Sequence, residues 1–294
     1  MKPVPMPPVL IVGCGYVGQR LARQLLAEGR EVTGLVRAAE SAAATTRLGA
    51  TAVQADLDAP LPLPVLISAG AELYYFAPPP AQGEDDPRLR RVLAALMPAL
   101  PARIVYISTS GVYGDCAGAV VAETRPARPN NTRARRRADA EARLRAWGRR
   151  GNRVGILRAP GIYAQDRMPA ERVRKGLPAI VAGDDVHTNH IHAEDLARLA
   201  LAVLFRGGPN RVYNAVDDSG LKMGDWFDVV ADHLGLPRPP RLSRAEVIAA
   251  VTPAMRTFLT ESRRLSNSRA KRELGFRLRY PSVREGLKSD PPTP

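Results

Sequence analysis

The stretch VLIVGCGYVG, residues 9–18, sets the architecture that the rest of this 294-residue chain follows. Four consecutive aliphatic residues, Val9 to Val12, are typical of a strand buried on both faces of a parallel sheet. Glycines follow in the spacing G-x-G-x-x-G, which allows a tight turn at Gly13, close approach of a pyrophosphate at Gly15 and close helix packing at Gly18. We therefore predict a strand, a phosphate-binding turn and a helix; the alternative is a turn that binds nothing.

Short apolar runs alternate with amphipathic helices through the first half of the chain. We predict strands at residues 9–12, 31–36, 50–57, 72–77, 102–108 and 153–160, and helices at 17–27, 39–48, 88–100 and about 133–150. This alternation predicts an α/β fold, a Rossmann-type doubly wound parallel sheet whose ligands bind at the carboxyl ends of the strands. The residues predicted to bind a dinucleotide there are Gly13, Gly15, Tyr16, Val17, Gly18, Arg37, Asp56, Leu57, Ala77, Pro78 and Pro160.

The alternation loosens in the second half, which indicates a smaller C-terminal α/β lobe. Strands are predicted at 179–181 and 211–214, and helices at 192–205, 223–234 and about 244–259. The predicted organisation is a flexible lead-in (1–8), an NAD(P)-binding Rossmann domain (9–165), a mixed substrate lobe (166–288) that returns strands and helices to that domain, and a disordered tail (289–294).

Arg37 follows the second predicted strand, where a dinucleotide site often carries an acid that binds the ribose hydroxyls. An arginine suits a 2′-phosphate instead, so we predict NADP as the cofactor, with NAD as the alternative. The simpler interpretation of Arg37 is an exposed loop charge.

The composition limits the possible partners. The net charge is +14, but the basic residues are spread along the chain, and the densest run, residues 133–153, contains a single aromatic residue, Trp147. We therefore do not expect nucleic acid as a partner; the run is either a solvated basic helix or part of an anion pocket. Two cysteines, Cys14 and Cys116, suggest a reducing compartment, and no apolar stretch is long enough to span a membrane, so we expect a cytoplasmic protein.

Several segments together resemble the extended short-chain dehydrogenase/reductases, the superfamily of NAD-dependent epimerases and dehydratases. They are STSGVYGD at 108–115, LRAPGIY at 157–163, NHIHAEDLA at 189–197, VYN at 212–214, and LGF at 274–276 with YPSVREGL at 280–287. The resemblance implies a nicotinamide cofactor, a small-molecule substrate and a possible homodimer through helices that flank the sheet. It also implies that Thr109 orients a carbonyl or hydroxyl group.

The resemblance fails where the superfamily carries its Tyr-x-x-x-Lys pair. Residues 129–141, PNNTRARRRADAE, contain neither tyrosine nor lysine, so Thr132 or Arg133 takes the tyrosine place and Arg136 or Arg137 the lysine place. A threonine hydroxyl is too weak an acid to replace a phenol, and an arginine stays protonated at pH 7. The glycine spacing also departs from the G-x-x-G-x-x-G usual in extended members.

Other residues are candidates for proton transfer. Tyr113 follows Thr109 closely, and Tyr163 follows the sixth strand; each is a candidate acid/base or a packing residue. His187, His190 and His192 titrate near neutral pH, although a structural role at a helix start is the simpler interpretation of His192. No third ligand accompanies the His-x-His pair, so we expect no metal site.

Two functions remain open at this point. One is an NADP-linked oxidoreductase or epimerase/dehydratase-like enzyme that acts on a small polar or anionic substrate with a non-standard proton donor. The other is a non-catalytic NADP(H)-binding redox sensor or regulator.

Overall fold

The computed structural model describes residues 6–60, 70–97 and 101–288. Most of the predicted lead-in, part of the loop after Pro60, the predicted end of the helix at 98–100 and the whole predicted tail lie outside the described residues. The fold class predicted from the sequence is confirmed: a seven-stranded parallel sheet lies at the centre and helices flank it.

The strands and helices have the following bounds. The strands are β1 (Val9–Val12), β2 (Val32–Val36), β3 (Thr51–Gln54), β4 (Glu72–Tyr75), β5 (Arg103–Thr109), β6 (Val120–Val121), β7 (Arg153–Ala159), β8 (Gly161–Tyr163), β9 (Ala179–Ile180), β10 (His190–His192), β11 (Arg211–Asn214), β12 (Arg241–Leu242) and β13 (Arg264–Leu265). The helices are α1 (Tyr16–Ala27), α2 (Ala39–Arg47), α3 (Pro87–Ala95), α4 (Thr132–Gly148), α5 (Ala170–Arg174), α6 (Ala193–Arg206), α7 (Met223–Leu234), α8 (Arg244–Ala250), α9 (Pro253–Thr260), α10 (Ser268–Leu274) and α11 (Val283–Lys288).

The strand order of the main sheet creates its ligand-binding edge. The order is β11-β7-β5-β4-β1-β2-β3, with β1 paired in parallel to both β2 and β4. The chain winds outward in one direction from β1 and then restarts at β4 in the other. The crevice between the carboxyl ends of β1 and β4 is therefore the topological switch point, where α/β sheets bind ligands.

Two hydrophobic cores cover the two faces of this sheet. β1 sends Val9 and Ile11 into the first core, with α1, α6 and α10, and Leu10 and Val12 into the second core, with α3 and α4. All four side chains are almost completely buried, which explains why the strand reads as an unbroken aliphatic run. A third hydrophobic cluster includes residues of α5, α7, α8 and α11 together with Tyr163 and Ile180.

Two features of the second half differ from the sequence-based predictions. The helix predicted at about 244–259 is two helices, because Pro253 follows an extended Thr252 (ψ 154°) that caps α9 and ends the helical path of α8. The structure also contains three pairs of very short parallel strands, β6–β13, β8–β10 and β9–β12, of which only β9 was predicted, as the strand at 179–181. Strands of two or three residues carry no periodicity that a sequence pattern can reveal.

A buried ion pair fastens α4 to the sheet. The Glu141 carboxylate accepts two hydrogen bonds from the Arg158 guanidinium, at 3.0 and 2.6 Å, and one from the Ser108 hydroxyl at 2.6 Å. Arg158 is 3% exposed and Glu141 4% exposed. Neither charge reaches water, so each depends on the other for solvation.

We expect Arg158→Met to lower the free energy of unfolding by about 3–5 kcal/mol, because it leaves the Glu141 carboxylate buried without its cation. Urea denaturation followed by circular dichroism measures this. Arg135→Met is the control, since the Arg135–Glu84 pair is exposed and its loss should cost no more than about 1 kcal/mol. Equal losses in the two variants would contradict the dependence on burial.

Candidate functional site

A cleft of about 480 Å³ lies at the switch point between β1 and β4. We call it the glycine-loop cleft, after the turn at residues 13–18 that forms one of its walls. Ten of the eleven residues predicted to bind a dinucleotide line it; Pro160 lines the neighbouring cleft instead. The lining predicted from the sequence is Gly13, Gly15, Tyr16, Val17, Gly18, Arg37, Asp56, Leu57, Ala77 and Pro78.

The three glycines of the turn fulfil three different steric requirements. Gly13 has a φ of +86°, and a Cβ there would lie 2.4 Å from the Ala77 nitrogen at the end of β4. A Cβ on Gly18 would lie 2.9 Å from the Gly13 carbonyl oxygen. Because glycine has no Cβ, α1 can begin this close to the strand. A Cβ on Gly15 would meet nothing within 4 Å, because this residue borders open space.

The first turn of α1 is suited to bind an anion. Its N-cap residue, Gly15, has no side chain, so no side-chain hydrogen bond caps the helix. The backbone N–H groups and the positive end of the helix dipole are available to a ligand, and phosphate groups bind at such helix ends. The structure of the turn therefore fits the pyrophosphate of a dinucleotide.

The far end of the glycine-loop cleft carries a second helix start and an arginine. Arg37, Ala38 and Ser41 line it, and Arg37 is exposed. Ala38 is the N-cap residue of α2 and likewise makes no side-chain capping bond. The Arg37 guanidinium, the Ser41 hydroxyl and the start of α2 can bind an anionic group.

An aromatic side chain connects the glycine loop to the second half of the chain. The Tyr16 ring lies 4.0 Å from the Arg20 guanidinium carbon and 4.8 Å from that of Arg167, and its hydroxyl donates a hydrogen bond to the Asp166 carboxylate. Asp166 and Arg167 belong to the loop after β8. The predicted cofactor residue Tyr16 thus contacts a loop about 150 positions away in sequence.

A second cleft, of about 550 Å³, adjoins the glycine-loop cleft, with which it shares Ile162 and Arg167. It lies beyond the carboxyl ends of β5 and β7, where Thr109 and Pro160 line it. Further lining comes from the start of α4, from α7 and α9, from residues 187–189, and from Glu261 and Arg263. The lining residues used below are Thr109, Arg133, Ile162, Arg167, His187, Met223, Phe258, Glu261 and Arg263.

Of the three predicted catalytic residues, Thr109, Tyr113 and Tyr163, Thr109 lines the second cleft. Its hydroxyl oxygen accepts a hydrogen bond from the Gly111 nitrogen at 3.2 Å, which orients the side chain where β5 turns into a short 3-10 helix. The hydroxyl proton remains available to a ligand. The structure therefore allows Thr109 to donate a hydrogen bond to a carbonyl or hydroxyl oxygen in the second cleft.

One face of α4 brings charged groups to both clefts. Arg133 lines the second cleft and Arg137 the glycine-loop cleft, while Glu141 makes the buried pair described above. Residues four apart lie on one face of a helix. Arg137 is half-buried and donates hydrogen bonds to the Ile107 carbonyl at 2.7 Å and the Tyr106 hydroxyl at 3.1 Å. The basic run is thus more than a solvated helix face, since two of its members line the clefts.

Tyr113 and Tyr163 are buried away from the clefts. The Tyr113 hydroxyl donates to the Asn214 side-chain oxygen at 2.8 Å, and the Tyr163 hydroxyl donates to the Ser282 carbonyl at 3.1 Å. Each residue is 1% exposed, and burial raises the pKa of both phenols. Neither lines either cleft, so their contacts are those of packing residues, which was the alternative interpretation of both.

The three histidines differ in position. Burial lowers the pKa of His190 to about 3 and that of His192 to about 4, so both rings are neutral at pH 7. The Nδ1 atom of His192 accepts a hydrogen bond from the Glu194 nitrogen at 3.2 Å and caps α6. His187 lines the second cleft. No group of three or more side chains suited to a metal occurs among the described residues.

Two further observations concern Cys14 and the membrane. Burial raises the pKa of the Cys14 thiol to about 11, which fits a packing residue of the glycine loop and opposes a reactive thiolate.

Within the residues that the structure describes, none of the helices has the length and apolar composition to cross a bilayer.

Sequence patterns missed several residues of the two clefts. Arg88 and Arg167 line the glycine-loop cleft, and Phe258 and Glu261 line the second cleft. The only available signal was the position of Arg167 shortly after the segment LRAPGIY. Arg88, Phe258 and Glu261 lie in helices or turns that carry no local motif, and only the tertiary fold brings them to the clefts.

Comparisons with known proteins give the family and the fold that this chain resembles. The model of the NAD dependent epimerase/dehydratase family matches residues 9–215. Protein YeeZ of Escherichia coli K12 is 27% identical over 286 residues, which cover 94% of this chain and 97% of YeeZ. A solved conserved protein of Silicibacter pomeroyi DSS, described as functionally unknown, is similar with a TM-score of 0.83 and 31% identity, over 96% of this chain and 97% of that one.

A more distant likeness shows the fold alone. MoeE5, solved in complex with UDP-glucose and NAD, matches with a TM-score of 0.73 at 22% identity over 95% of this chain and 96% of that one.

We expect Gly15→Ala to fold normally but to weaken NADPH binding by about tenfold to a hundredfold, because the added methyl group projects into the space that a pyrophosphate needs. Titration of NADPH fluorescence gives the affinity, and thermal melting reports on folding. Gly183→Ala, also in open space but on an exposed loop outside both clefts, is the control. Unchanged affinity in Gly15→Ala would place the pyrophosphate elsewhere.

Proposed function

The chain belongs to the NAD-dependent epimerase/dehydratase family, and on that premise we propose that it is an NADP(H)-dependent oxidoreductase or epimerase-like enzyme. The cofactor binds in the glycine-loop cleft. A small polar or anionic substrate binds in the second cleft. When bound, the nicotinamide supplies a hydride acceptor or donor; the chain's own residues bind, orient and polarise the substrate.

The observation that carries the proposal is the junction of the two clefts. The glycine-loop cleft has the steric features of a dinucleotide site, and it shares Ile162 and Arg167 with the cleft that Thr109 lines. A cofactor and a substrate that occupied the two clefts would therefore be neighbours. Such proximity is the main requirement of a transfer between them.

We propose that Thr109 and Arg137 divide the work of the missing Tyr-x-x-x-Lys pair. The Thr109 hydroxyl donates a hydrogen bond to the substrate oxygen. Arg137 supplies a positive charge at the edge of the glycine-loop cleft. A hydroxyl group of the cofactor can accept a hydrogen bond there from one of the guanidinium N–H groups that are still free. Neither residue is an acid strong enough to release a proton at pH 7, so the proton comes from a group other than these two.

Arg37 supports NADP over NAD. It is exposed at the end of the cleft beside Ser41 and the start of α2, and it takes the position directly after β2; the nearest carboxylate in the sequence is Glu40, in the first turn of α2. A 2′-phosphate would gain a charge-assisted hydrogen bond there, whereas the ribose hydroxyls of NAD lack the acid that usually binds them.

A redox sensor is the second candidate. Residues 129–141 lack tyrosine and lysine, and this observation favours a protein that binds NADP(H) without using it. The two candidates differ in one measurable property, which is turnover.

We expect Thr109→Ala to lower the rate of NADPH oxidation by about a hundredfold, since it removes the group that polarises the substrate oxygen, while the affinity for NADPH stays unchanged. The assay follows absorbance at 340 nm with a panel of aldehydes, 2-oxo acids and sugar nucleotides. Thr46→Ala, on the exposed side of α2, is the control. Binding of NADPH without oxidation by any member of the panel would favour the sensor.

We expect Arg37→Gln to weaken NADPH binding by about tenfold to a hundredfold and to leave NADH binding unchanged, because the two cofactors differ only in the 2′-phosphate. Isothermal titration calorimetry with both cofactors measures the shift. Arg47→Gln, at the opposite end of α2, is the matched control. An equal loss of affinity for NADPH and for NADH would show that Arg37 does not bind the 2′-phosphate.

A further inference from the structure

The second cleft has an excess of positive charge. Its charged lining consists of three arginines, Arg133, Arg167 and Arg263, and one glutamate, Glu261. Glu261 and Arg263 form an ion pair at 2.7 Å, and Arg263 also donates to the Gly114 carbonyl at 2.7 Å. These two charges satisfy each other, so the excess belongs to Arg133 and Arg167.

Arg133 and Arg167 contact aromatic rings in place of carboxylates. The Arg133 guanidinium carbon lies 5.9 Å from the centre of the Phe258 ring, and that of Arg167 lies 4.8 Å from the centre of the Tyr16 ring. In the part of the chain that the structure describes, neither guanidinium forms an ion pair or donates a side-chain hydrogen bond. A ring face holds the plane of a guanidinium and leaves its N–H edges available.

Other arginines of the same region are already engaged. Arg137 donates to the Ile107 carbonyl, Arg158 is bound by Glu141, and Arg135 pairs with Glu84 on the surface. Arg133 and Arg167 therefore differ from these neighbours, whose guanidinium groups already bind a carboxylate or a carbonyl oxygen.

We propose that Arg133 and Arg167 form an oxyanion-binding site for the substrate, which is a carbonyl or hydroxyl compound that carries a carboxylate or a phosphate group. This inference rests on the proposed function and specifies the substrate class of the same cleft. The planar N–H groups of arginine match the paired oxygens of carboxylate and phosphate. Thr109, in the same cleft, then meets the substrate's uncharged oxygen.

The position of Arg167 explains how the anion is used. Arg167 lines both clefts, so a substrate anion bound by it lies at their junction, next to the cofactor-binding cleft. Arg133 begins the same α4 face from which Arg137 reaches the glycine-loop cleft. An anion held by both arginines is fixed relative to the cofactor by two separate elements, α4 and the loop after β8.

The charges of the cleft also define what it excludes. A cationic compound would face two guanidinium groups that have no counter-ion among the described residues, and a neutral compound would gain no charge-assisted hydrogen bond from them. Phe258, Met223 and Ile162 contribute apolar side chains to the lining, which can contact the uncharged part of a substrate.

The test measures binding and does not require turnover. Isothermal titration calorimetry at 0.15 M NaCl first gives the affinity of the full chain for NADP⁺. Oxalate, representing carboxylates, and inorganic phosphate are then titrated separately into the protein saturated with NADP⁺. The variants are Arg133→Gln, Arg167→Gln and Arg133→Lys, with Arg135→Gln as the control on the same helix; circular dichroism verifies that each folds.

We expect at least one of the two anions to bind, and Arg133→Gln and Arg167→Gln each to weaken it by about tenfold or more. Arg133→Lys should recover part of the loss because it keeps the charge, and Arg135→Gln should bind as the unaltered protein does. The anion that binds more tightly identifies the carboxylate or the phosphate class.

Two results would overturn the inference: no binding of either anion, or equal binding in the unaltered protein and in both glutamine variants. If NADP⁺ binds while the anions do not, the inference fails and the cofactor assignment stands. If NADP⁺ itself does not bind, the proposed function fails, and anion binding that depends on Arg133 and Arg167 would then remain as a separate property of the cleft.

Discussion

The close approach of the glycine loop to the end of β4 is the constraint on which the structure depends. The space beside Gly13 is so small that a Cβ would lie 2.4 Å from the Ala77 nitrogen. Because β1 and β4 are hydrogen-bonded neighbours at the switch point, this approach fixes both the start of α1 and the width of the glycine-loop cleft. The second cleft lies beside it because β5 and β7 continue the same parallel sheet.

The α4 helix connects the stability of the fold with the composition of the site. One face carries Glu141, whose buried pair with Arg158 fixes the helix against β7, and Arg137 and Arg133 extend along the same face toward the clefts. The position of the two arginines is thus set by a buried interaction one or two helical turns away. A polar helix face of this kind looks solvent-exposed in the sequence, although its residues contact the sheet.

The sheet and the glycine loop could be predicted because their signals are local. The strand at 211–214 and the helix at 223–234 have the bounds predicted from their apolar patterns. The second cleft could not be predicted, since Arg167 and Phe258 arrive from segments far apart in sequence. Proximity in sequence was also a poor guide for Tyr113: it lies four residues after Thr109, but the 3-10 turn directs its ring against Arg158, 4.5 Å away. Side-chain direction follows from backbone geometry, which a motif alone does not specify.

The contact of Tyr16 with Asp166 and Arg167 makes the two halves of the chain energetically dependent on each other. A ligand of the second cleft that engages Arg167 also acts on a guanidinium that packs against the first residue of α1. If ligands bind in both clefts as proposed, occupancy of one would alter the free energy of binding in the other, and thermodynamic linkage would make the effect equal in both directions. The ring of a single tyrosine would then be the place where the affinities for two different molecules are coupled.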